Sequence, residues 1–380
     1  MTVIVGGGPA GASAAWHLAT AGQPVRLLER DSGPRDRICG EFVSVEAQEV
    51  LRQMGIDPVA LGAPAIDRLR LVSGDRVAEA PLPFRAYGLT RKTMDAAMLD
   101  RAAGAGATIE RGVTVREIDG LRLATDSGGI VAERLVLASG KHDVRGQKRV
   151  SRGTVTDLIG FKSYFRLAPA QAEALAGSIE VMLFGGGYAG LQLVEGGKAN
   201  LCLLVERGRF AATGGWPALQ ERIRRECRHL ALRLEGAVEL FDRPLTVAGV
   251  PYGFRYRPQP DDLPALYRVG DQCAVIPSFS GDGMAIAMHS GRAAAAAIVA
   301  GVDARAYHAA RRSEFARQMW TARLLYRAGR PAALQPLIVE AAKAWPALAT
   351  RLAAWTRIPS AYRSTRSAPS ASISDASCVT

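Results

Sequence analysis

Gly6, Gly8 and Gly11 stand in the spacing GxGxxG, and Glu29 follows 18 residues after the last of them. Those residue types at those distances suit a dinucleotide. One glycine allows a tight turn, one lets a pyrophosphate approach the backbone, one lets a helix sit close on a sheet, and the carboxylate receives an adenosine ribose. Backbone N–H groups at the start of the following helix would face the phosphates. Elsewhere no Ser-His-Asp set, no carboxylate pair and no zinc spacing stands out. Such a chain leaves the difficult chemistry to its cofactor, while the protein positions substrate, tunes charge and controls water.

The elements that hold these residues follow from the pattern around them. Thr2-Val3-Ile4-Val5 has the β-branched run of a buried parallel strand and leads straight into the glycines. Ala12, Ser13, Ala14 and Ala15 keep the next helix thin, Gly22 ends it, and Pro24 to Leu28 reads as a second strand closed by Glu29. Val45, Val50, Leu51 and Met54 mark a helix, and Ile66 to Val72 a strand that begins a different layer. Thr90-Arg91 leads into a helix ending near Ala107, followed by strand-like Thr108–Glu110 and Val113–Val115. Ile130 to Ala138 returns a buried strand to Ser139-Gly140 beneath the dinucleotide.

From about 151 to 260 the pattern changes. Phe161–Leu167, Ile179–Phe184 and Ala199–Val205 read as antiparallel strands around the turn Gly185–Gly187, and Trp216 to Leu234 as helix. This sheet could wall a substrate pocket. Ala265 to Asp271 resumes the first layer, and the loop from Gln272 to Gly283 feeds a small-residue helix, Met284 to Gly301. Arg- and Ala-rich helices fill 304–356, and the Ser-rich stretch from Pro359 lacks apolar periodicity, as disordered segments do.

With 380 residues, 48% hydrophobic and 22% charged, the chain can bury a full core in two lobes. Its net charge of +12 favours an anionic partner such as a membrane surface, nucleic acid or acidic carrier, unless the arginines simply reflect a GC-rich coding background. No basic run interleaves with aromatics, which argues against nucleic acid. Five scattered cysteines argue against a disulfide framework or metal site and for a reducing compartment. The first strand begins at residue 2, so no signal peptide is expected, and no apolar run has spanning length. The expected location is cytoplasmic, with contact at the inner face of the membrane as a variant.

Three separated segments together resemble the FAD-binding fingerprints of the p-hydroxybenzoate hydroxylase-like flavoproteins. They are the glycine loop with Glu29, the helix start Thr90-Arg91 with Asp95, and Val269-Gly270-Asp271 with Pro277, Gly281, Asp282, Gly283 and Met284. That class holds aromatic monooxygenases, geranylgeranyl reductases and flavin halogenases, and the resemblance runs from residue 1 to about 300. It implies an α/β fold: a Rossmann-like, glutathione reductase-like FAD-binding domain interleaved with an antiparallel-sheet substrate domain, plus C-terminal helices. The implied boundaries are 1–65, 88–150 and 262–303 for the FAD-binding domain and 66–87 with 151–261 for the substrate domain. A helical region, 304–358, and a disordered tail, 359–380, complete the division.

The resemblance also implies roles. Gly6, Gly8 and Gly11 would hold the pyrophosphate, Glu29 the ribose, Arg91 the phosphates or ribityl chain, and Asp271 the ribityl hydroxyls. N–H groups at Gly281, Gly283 and Met284 would point at the flavin pyrimidine edge, where a helix N-terminus stabilises negative charge. Pro9, Ala10, Arg30, Arg37, Cys39, Gly40, Gly140, Gly270, Pro277 and Asp282 complete the expected cofactor contacts. The segment Cys39-Gly40-Glu41 resembles the cysteine-glycine loop of the geranylgeranyl reductase-like branch, which lies near the flavin ring. Cys39 is therefore expected to touch flavin or substrate, the plainer alternative being an inert thiol with only Arg35 and Arg37 nearby.

The chain departs from the class in three places. Tyr188 to Leu193 keeps only the tyrosine of the prenyl reductases' aromatic clamp, and the halogenases' paired tryptophans are absent. Ser139 stands where aromatic hydroxylases carry the aspartate of an Asp-Gly pair, although Arg145 matches their downstream arginine. The expected function is an FAD-dependent monooxygenase that hydroxylates an apolar aromatic or polyketide-like small molecule using NAD(P)H and O2. The alternatives are a flavin-dependent reductase of a carbon–carbon double bond, and a non-catalytic FAD-binding protein that meets a membrane through Trp320, Arg323, Arg327, Arg330, Trp345 and Trp355. Cys39, Tyr188 and His289 are the catalytic candidates, beside Tyr252 and His142, and no metal is expected.

Overall fold

The computed structural model describes residues 1–359; the tail expected to be disordered lies, apart from Pro359, outside the described residues. A five-stranded parallel sheet has the strand order Leu266–Arg268, Arg134–Leu137, Thr2–Val5, Val25–Glu29, Thr108–Arg111. Its central strand is buried on both faces, which is why Thr2–Val5 shows a continuous β-branched run instead of alternation. Ile4, Leu27 and Val136 pack against helices on one face. Val3, Val5, Leu28 and Leu135 pack on the other against Ile118 and Leu123 of a small antiparallel sheet, Val115–Asp119, Arg122–Thr125 and Gly128–Val131.

The helices Pro9–Thr20 and Gly283–Val299 lie side by side on the first face. Small residues set their separation: a Cβ on Gly291 would stand 2.2 Å from the Ala10 carbonyl oxygen, and Ser13 Oγ donates to the Met288 carbonyl at 2.8 Å. Close packing brings both N-termini to the same side of the sheet.

The second sheet runs in the order Val238–Glu239, Leu158–Arg166, Ala199–Glu206, Gly187–Leu193, Gly177–Phe184, Ala65–Ser73, Arg76–Gly88, Phe42–Val43. It is antiparallel except where Gly177–Phe184 pairs parallel with Ala65–Ser73. Alternation along its strands decides the site. Phe161, Phe165, Leu191 and Leu201 face a core closed by the helices Trp216–Glu226 and Arg228–Arg233. Lys162, Tyr164, Gln192 and Asn200 occupy the intervening positions and face the first layer.

Three features differ from the sequence reading, the first being that the strand expected over 130–138 divides into Gly128–Val131 of the small antiparallel sheet and Arg134–Leu137 of the parallel one. The helix expected over 216–234 breaks at Cys227, whose φ of −123° and ψ of 89° are not helical. The strand Arg76–Gly88 was not expected, because Pro81 and Pro83 interrupt its pattern; it tolerates them beside a register shift at Ile66/Arg68. The helices Gln335–Ala344 and Pro346–Trp355 pack on this strand. Among the described residues no helix is long and apolar enough to cross a membrane.

A Cβ on Gly11 would stand 1.9 Å from the Gly6 carbonyl oxygen, whereas one on Gly104 meets nothing within 4 Å. Gly11→Ala should therefore cost about 1–3 kcal/mol of stability through overpacking, and Gly104→Ala should be neutral or slightly stabilising. Thermal unfolding of the two variants checks this.

Candidate active site

A cleft of about 440 Å³ opens at the C-terminal ends of the central parallel strands, lined by Gly6, Gly8, Glu29, Arg91 and Asp271 among others. Open α/β sheets bind ligands there. Gly6, at φ 106°, turns the chain so tightly that a Cβ would lie 2.5 Å from the Ala138 carbonyl oxygen. The Gly7 N–H donates to Glu29 Oε2 at 2.6 Å and the Asp31 N–H to Oε1 at 3.0 Å, so the acid is oriented by its own loop. Arg37 adds contacts to Glu29 and Asp31.

The helix Pro9–Thr20 has Gly8 as its N-cap and no side-chain cap, and Gly283–Val299 likewise has none. Two helix N-termini are thus left with free N–H groups on one side of the sheet, an arrangement suited to an anionic ligand. Arg91 forks onto Asp95 through Nε and Nη2, both at 2.7 Å, and the Gly8 backbone lies close to its guanidinium. Asp271 lines the cleft and its carboxylate has no protein partner among the described residues. A backbone cradle, two uncapped helix starts, one fixed cation and one free carboxylate fit FAD.

The structure brings Gly6, Gly8, Glu29, Arg30, Arg37, Arg91, Gly140 and Asp271 to this cleft. Pro9, Ala10 and Gly11 form the first helical turn beside it, and Gly270 packs on Ala10. Pro277, Gly281, Asp282, Gly283 and Met284 form the adjoining turn and helix start, with Met284 buried. His142 faces the cleft, and burial first, then the cations Arg30 and Lys141, push its pKa down. Arg145 lines the cleft, exposed and paired with Glu117, while Arg149 is the buried arginine that donates to the Asp271 carbonyl at 2.7 Å.

Most of what holds the Cys39–Glu41 loop went unread in the sequence. Glu41 is fully buried at φ 60°, the only non-glycine residue with positive φ among the described residues. Its carboxylate takes Lys162 Nζ at 2.5 Å, the Tyr164 hydroxyl at 2.8 Å and the Arg91 N–H at 2.8 Å. Burial raises its pKa, with Lys162 opposing. Lys162 also donates to the Arg37 carbonyl at 2.9 Å. Gln192 Nε2 donates to the Glu41 carbonyl, and Asn200 Nδ2 to those of Cys39 and Gly40. The side-chain oxygens of Gln192 and Asn200 are buried and unpartnered. The signal for these residues was present as polar positions alternating with phenylalanine and leucine. Cys39 lies within reach of the Arg91 guanidinium, a neighbour distant in sequence from Arg35 and Arg37.

Tyr188 accepts the Phe279 N–H at 3.0 Å, joining the sheet to the turn before the helix Gly283–Val299. Burial holds its phenol well above the ordinary range and Tyr252 rises for the same reason. His289 is not brought to the cleft. It pairs with Glu314 at 2.6 Å and touches Arg292, Arg311 and the Phe315 ring, because its helix face meets the helix Ala304–Glu314. Asp282 receives Arg357 at 3.2 Å, Ser44 at 3.3 Å and Gln318 at 2.9 Å. Burial pushes its pKa up to about 7 against the pull of Arg357, and Glu46 adds to the rise.

Residues 1–147 match the family described as FAD binding domain. Digeranylgeranylglycerophospholipid reductase 2 of Methanopyrus kandleri is 26% identical over 313 residues, covering 77% of this chain and 75% of the relative. Menaquinone reductase of Mycobacterium tuberculosis is 27% identical over 219 residues, 52% of this chain and 53% of the relative. Among solved structures, flavin-dependent brominase Bmp2 superposes with a TM-score of 0.76 over 94% of each chain at 19% identity. Halogenase PltM in complex with phloroglucinol and FAD gives 0.71 at 13% identity, over 95% of this chain and 88% of that one. At those identities the likeness to the two halogenases is one of fold.

Removing Lys162 alone strands a buried carboxylate. Lys162→Met should cost about 3–5 kcal/mol, and Glu41→Gln in the same chain should recover part of it; urea unfolding of the single and double variants checks this. Asp282 holds a proton in the folded state up to about pH 7 that the unfolded chain loses near pH 4. Its contribution to stability is therefore full at low pH and falls as pH rises through that window. Asp282→Asn should flatten the fall, read as thermal midpoints across the same range.

Proposed function

For a chain that belongs to the FAD-dependent oxidoreductases of the p-hydroxybenzoate hydroxylase-like and geranylgeranyl reductase-like flavoprotein family, we propose that the reaction is reduction of a carbon–carbon double bond in an apolar, isoprenoid-like acceptor. NAD(P)H is proposed as the electron donor. The carrying observation is the Cys39–Glu41 loop, pinned from behind by Lys162, Tyr164, Gln192 and Asn200. The reductase named in the relative matched over 77% of the chain supports the same reading.

FAD supplies the electron pair as a hydride equivalent. The protein would hold the dinucleotide through Gly6, Gly8, Gly11 and Glu29, meet its negative charge with Arg91 and the helix start at Gly283, and accept hydrogen bonds from the ribityl hydroxyls at Asp271. Reduction also needs one proton for the second carbon. Two groups beside the loop and turn are proposed to deliver it: Cys39 and the Tyr188 hydroxyl, the latter kept protonated by its burial. His289 takes no part, being committed to Glu314.

Hydroxylation of an aromatic substrate is the second reading. The buried cluster in which Tyr188, Tyr252, Phe254 and Phe279 pack with Val250 and Val275 favours it, because it surrounds the turn before the helix Gly283–Val299 with apolar and aromatic side chains. A single experiment separates the two. Protein reduced anaerobically with NADPH or NADH is mixed with a geranylgeranyl lipid or a menaquinone under argon, and in parallel with O2 and an aromatic acceptor. Flavin reoxidation under argon with loss of a double bond is expected. Reoxidation only in O2, with oxygen from the gas found in an aromatic product, would sink the reduction reading.

An isoprenoid lipid is delivered from a membrane, and the C-terminal helices suit such a surface. Trp320, Leu337, Trp345 and Trp355 are exposed by 52–65% beside Arg323, Arg327 and Arg330. Trp320→Ser with Trp345→Ser should lower sedimentation with anionic vesicles severalfold while the flavin spectrum is kept. Unchanged sedimentation would remove the membrane contact.

A further inference from the structure

A second cavity, of about 720 Å³, shares no lining residue with the cleft at the glycine loop. It lies where the segment 146–154, the strand Phe254–Arg255 and the helices Ala304–Glu314 and Ala316–Gly329 converge. Arg255, Arg312 and Arg323 line one side. Arg255 Nη1 donates to the Arg312 carbonyl at 3.0 Å and Arg312 Nη1 to the Arg255 carbonyl at 3.1 Å. Arg323 lies over Gly253, where a Cβ would stand 3.3 Å from its Cδ. Arg255 and Arg312 are thus held together by reciprocal backbone contacts with Arg323 beside them, and among the described residues none of the three has a carboxylate partner. Their mutual repulsion, after burial, holds Arg255 below the ordinary arginine range.

Arg268 supplies the floor. It is buried, donates to Gln147 Oε1 at 2.7 Å, stacks over the Tyr256 ring and keeps a buried, unpartnered Nε. Lys148, Arg152 and Arg257 stand exposed at the rim. The lining carboxylates are Asp261 and Asp262, and Asp262 already accepts the Tyr256 hydroxyl and the Gln259 N–H. A site whose lysine and arginines so far outnumber its two aspartates is completed by a ligand that brings several negative charges. Guanidinium forks match phosphate oxygens bidentately, and one carboxylate would neutralise too little.

We propose that this cavity binds the diphosphate group of an organic diphosphate ester. The volume exceeds what a bare anion fills, and Phe254 and Tyr256 give the remaining wall an aromatic surface for an organic body. Arg149 stands between the two sites, with its guanidinium on the Asp271 carbonyl and over the Phe254 ring at 5.7 Å. A diphosphate here is therefore next to the turn that carries Asp271. Two sources share the chemistry: the nicotinamide dinucleotide that reduces the flavin, and a prenyl diphosphate acceptor. The site does not depend on which reaction the flavin performs.

Calorimetric titration of the FAD-loaded protein, whose glycine-loop cleft is filled, tests it with inorganic pyrophosphate, NADPH and geranylgeranyl diphosphate. At least one should bind, and Arg323→Gln and Arg257→Gln should each weaken that ligand about tenfold with flavin content and melting temperature unchanged. Arg351→Gln, on an exposed helix outside the cavity, should leave affinity as it was. NADPH binding tightest identifies the donor as the occupant, geranylgeranyl diphosphate the acceptor, and equal affinities a site that reads the diphosphate alone. Failure of all three to bind, or equal binding by the Arg323 and Arg257 variants, overturns the proposal. Neither outcome bears on double-bond reduction, which is read from product.

Discussion

The contact on which the arrangement depends is the buried pair Glu41–Lys162. Glu41 belongs to a loop that leaves the dinucleotide layer, and Lys162 to the middle of the strand Leu158–Arg166, second from one end of the second sheet. Two fully buried charges are expensive to desolvate, and their attraction repays that only with the remaining lone pairs and protons satisfied. Tyr164, the Arg91 N–H and the Arg37 carbonyl satisfy them. The pair accordingly fixes geometry more than it adds stability. It holds Glu41 in a left-handed backbone conformation that an unsupported residue with a side chain would leave, and so sets where Cys39 and Gly40 lie. The same carboxylate takes the N–H that starts the helix Arg91–Gly104, so the cleft's fixed arginine and the Cys39–Glu41 loop share one anchor.

That anchor explains why the two layers act as one site. Helix Arg91–Gly104 is capped by Thr90, and Thr90 and Thr93 are held in turn by Glu195, from the turn after the strand Gly187–Leu193. On the other side, Tyr188 of that strand accepts the Phe279 N–H. Each end of the cleft is therefore tied to the second sheet by a polar contact inside an apolar surround, where such contacts are strong. The helices Pro9–Thr20 and Gly283–Val299 have no side-chain cap, so the protein leaves these two positive ends for a ligand and spends its own carboxylates on positioning.

How far this could be read beforehand depends on range. The glycine loop, Glu29 and the small residues of the helix Pro9–Thr20 are local patterns within the first thirty residues, and they stand in the sequence where they stand in space. Strands such as Leu158–Arg166 showed too, but their polar members did not announce a role, because Lys162 acquires one only when residue 41 is brought opposite it. Arg145 and Arg149 illustrate the same limit: both are arginines of one loop, and only the fold decides that Arg149 is buried against Asp271 while Arg145 meets Glu117. His289 drew attention as a lone histidine beside a functional turn, yet helical phase carries it to the opposite face, where Glu314 awaits it.

The C-terminal helices are more than packing on the second sheet. Arg357, at their end, donates to Ser280 and Asp282 and lies over the rings of Phe42 and Phe84. It thus reaches the turn before the helix Gly283–Val299 and the strand after Cys39 together. Gln318 from the helix Ala316–Gly329 takes the other oxygen of Asp282. Asp282 stands at the N-terminus of its helix, where a carboxylate is favourable, but burial opposes its charge and leaves it balanced near neutrality. Arg357 and Gln318 thus place two side chains of the C-terminal region on the carboxylate at the helix start proposed to face the flavin. The surface with the exposed tryptophans and the turn beside the cleft are consequently joined through one buried carboxylate.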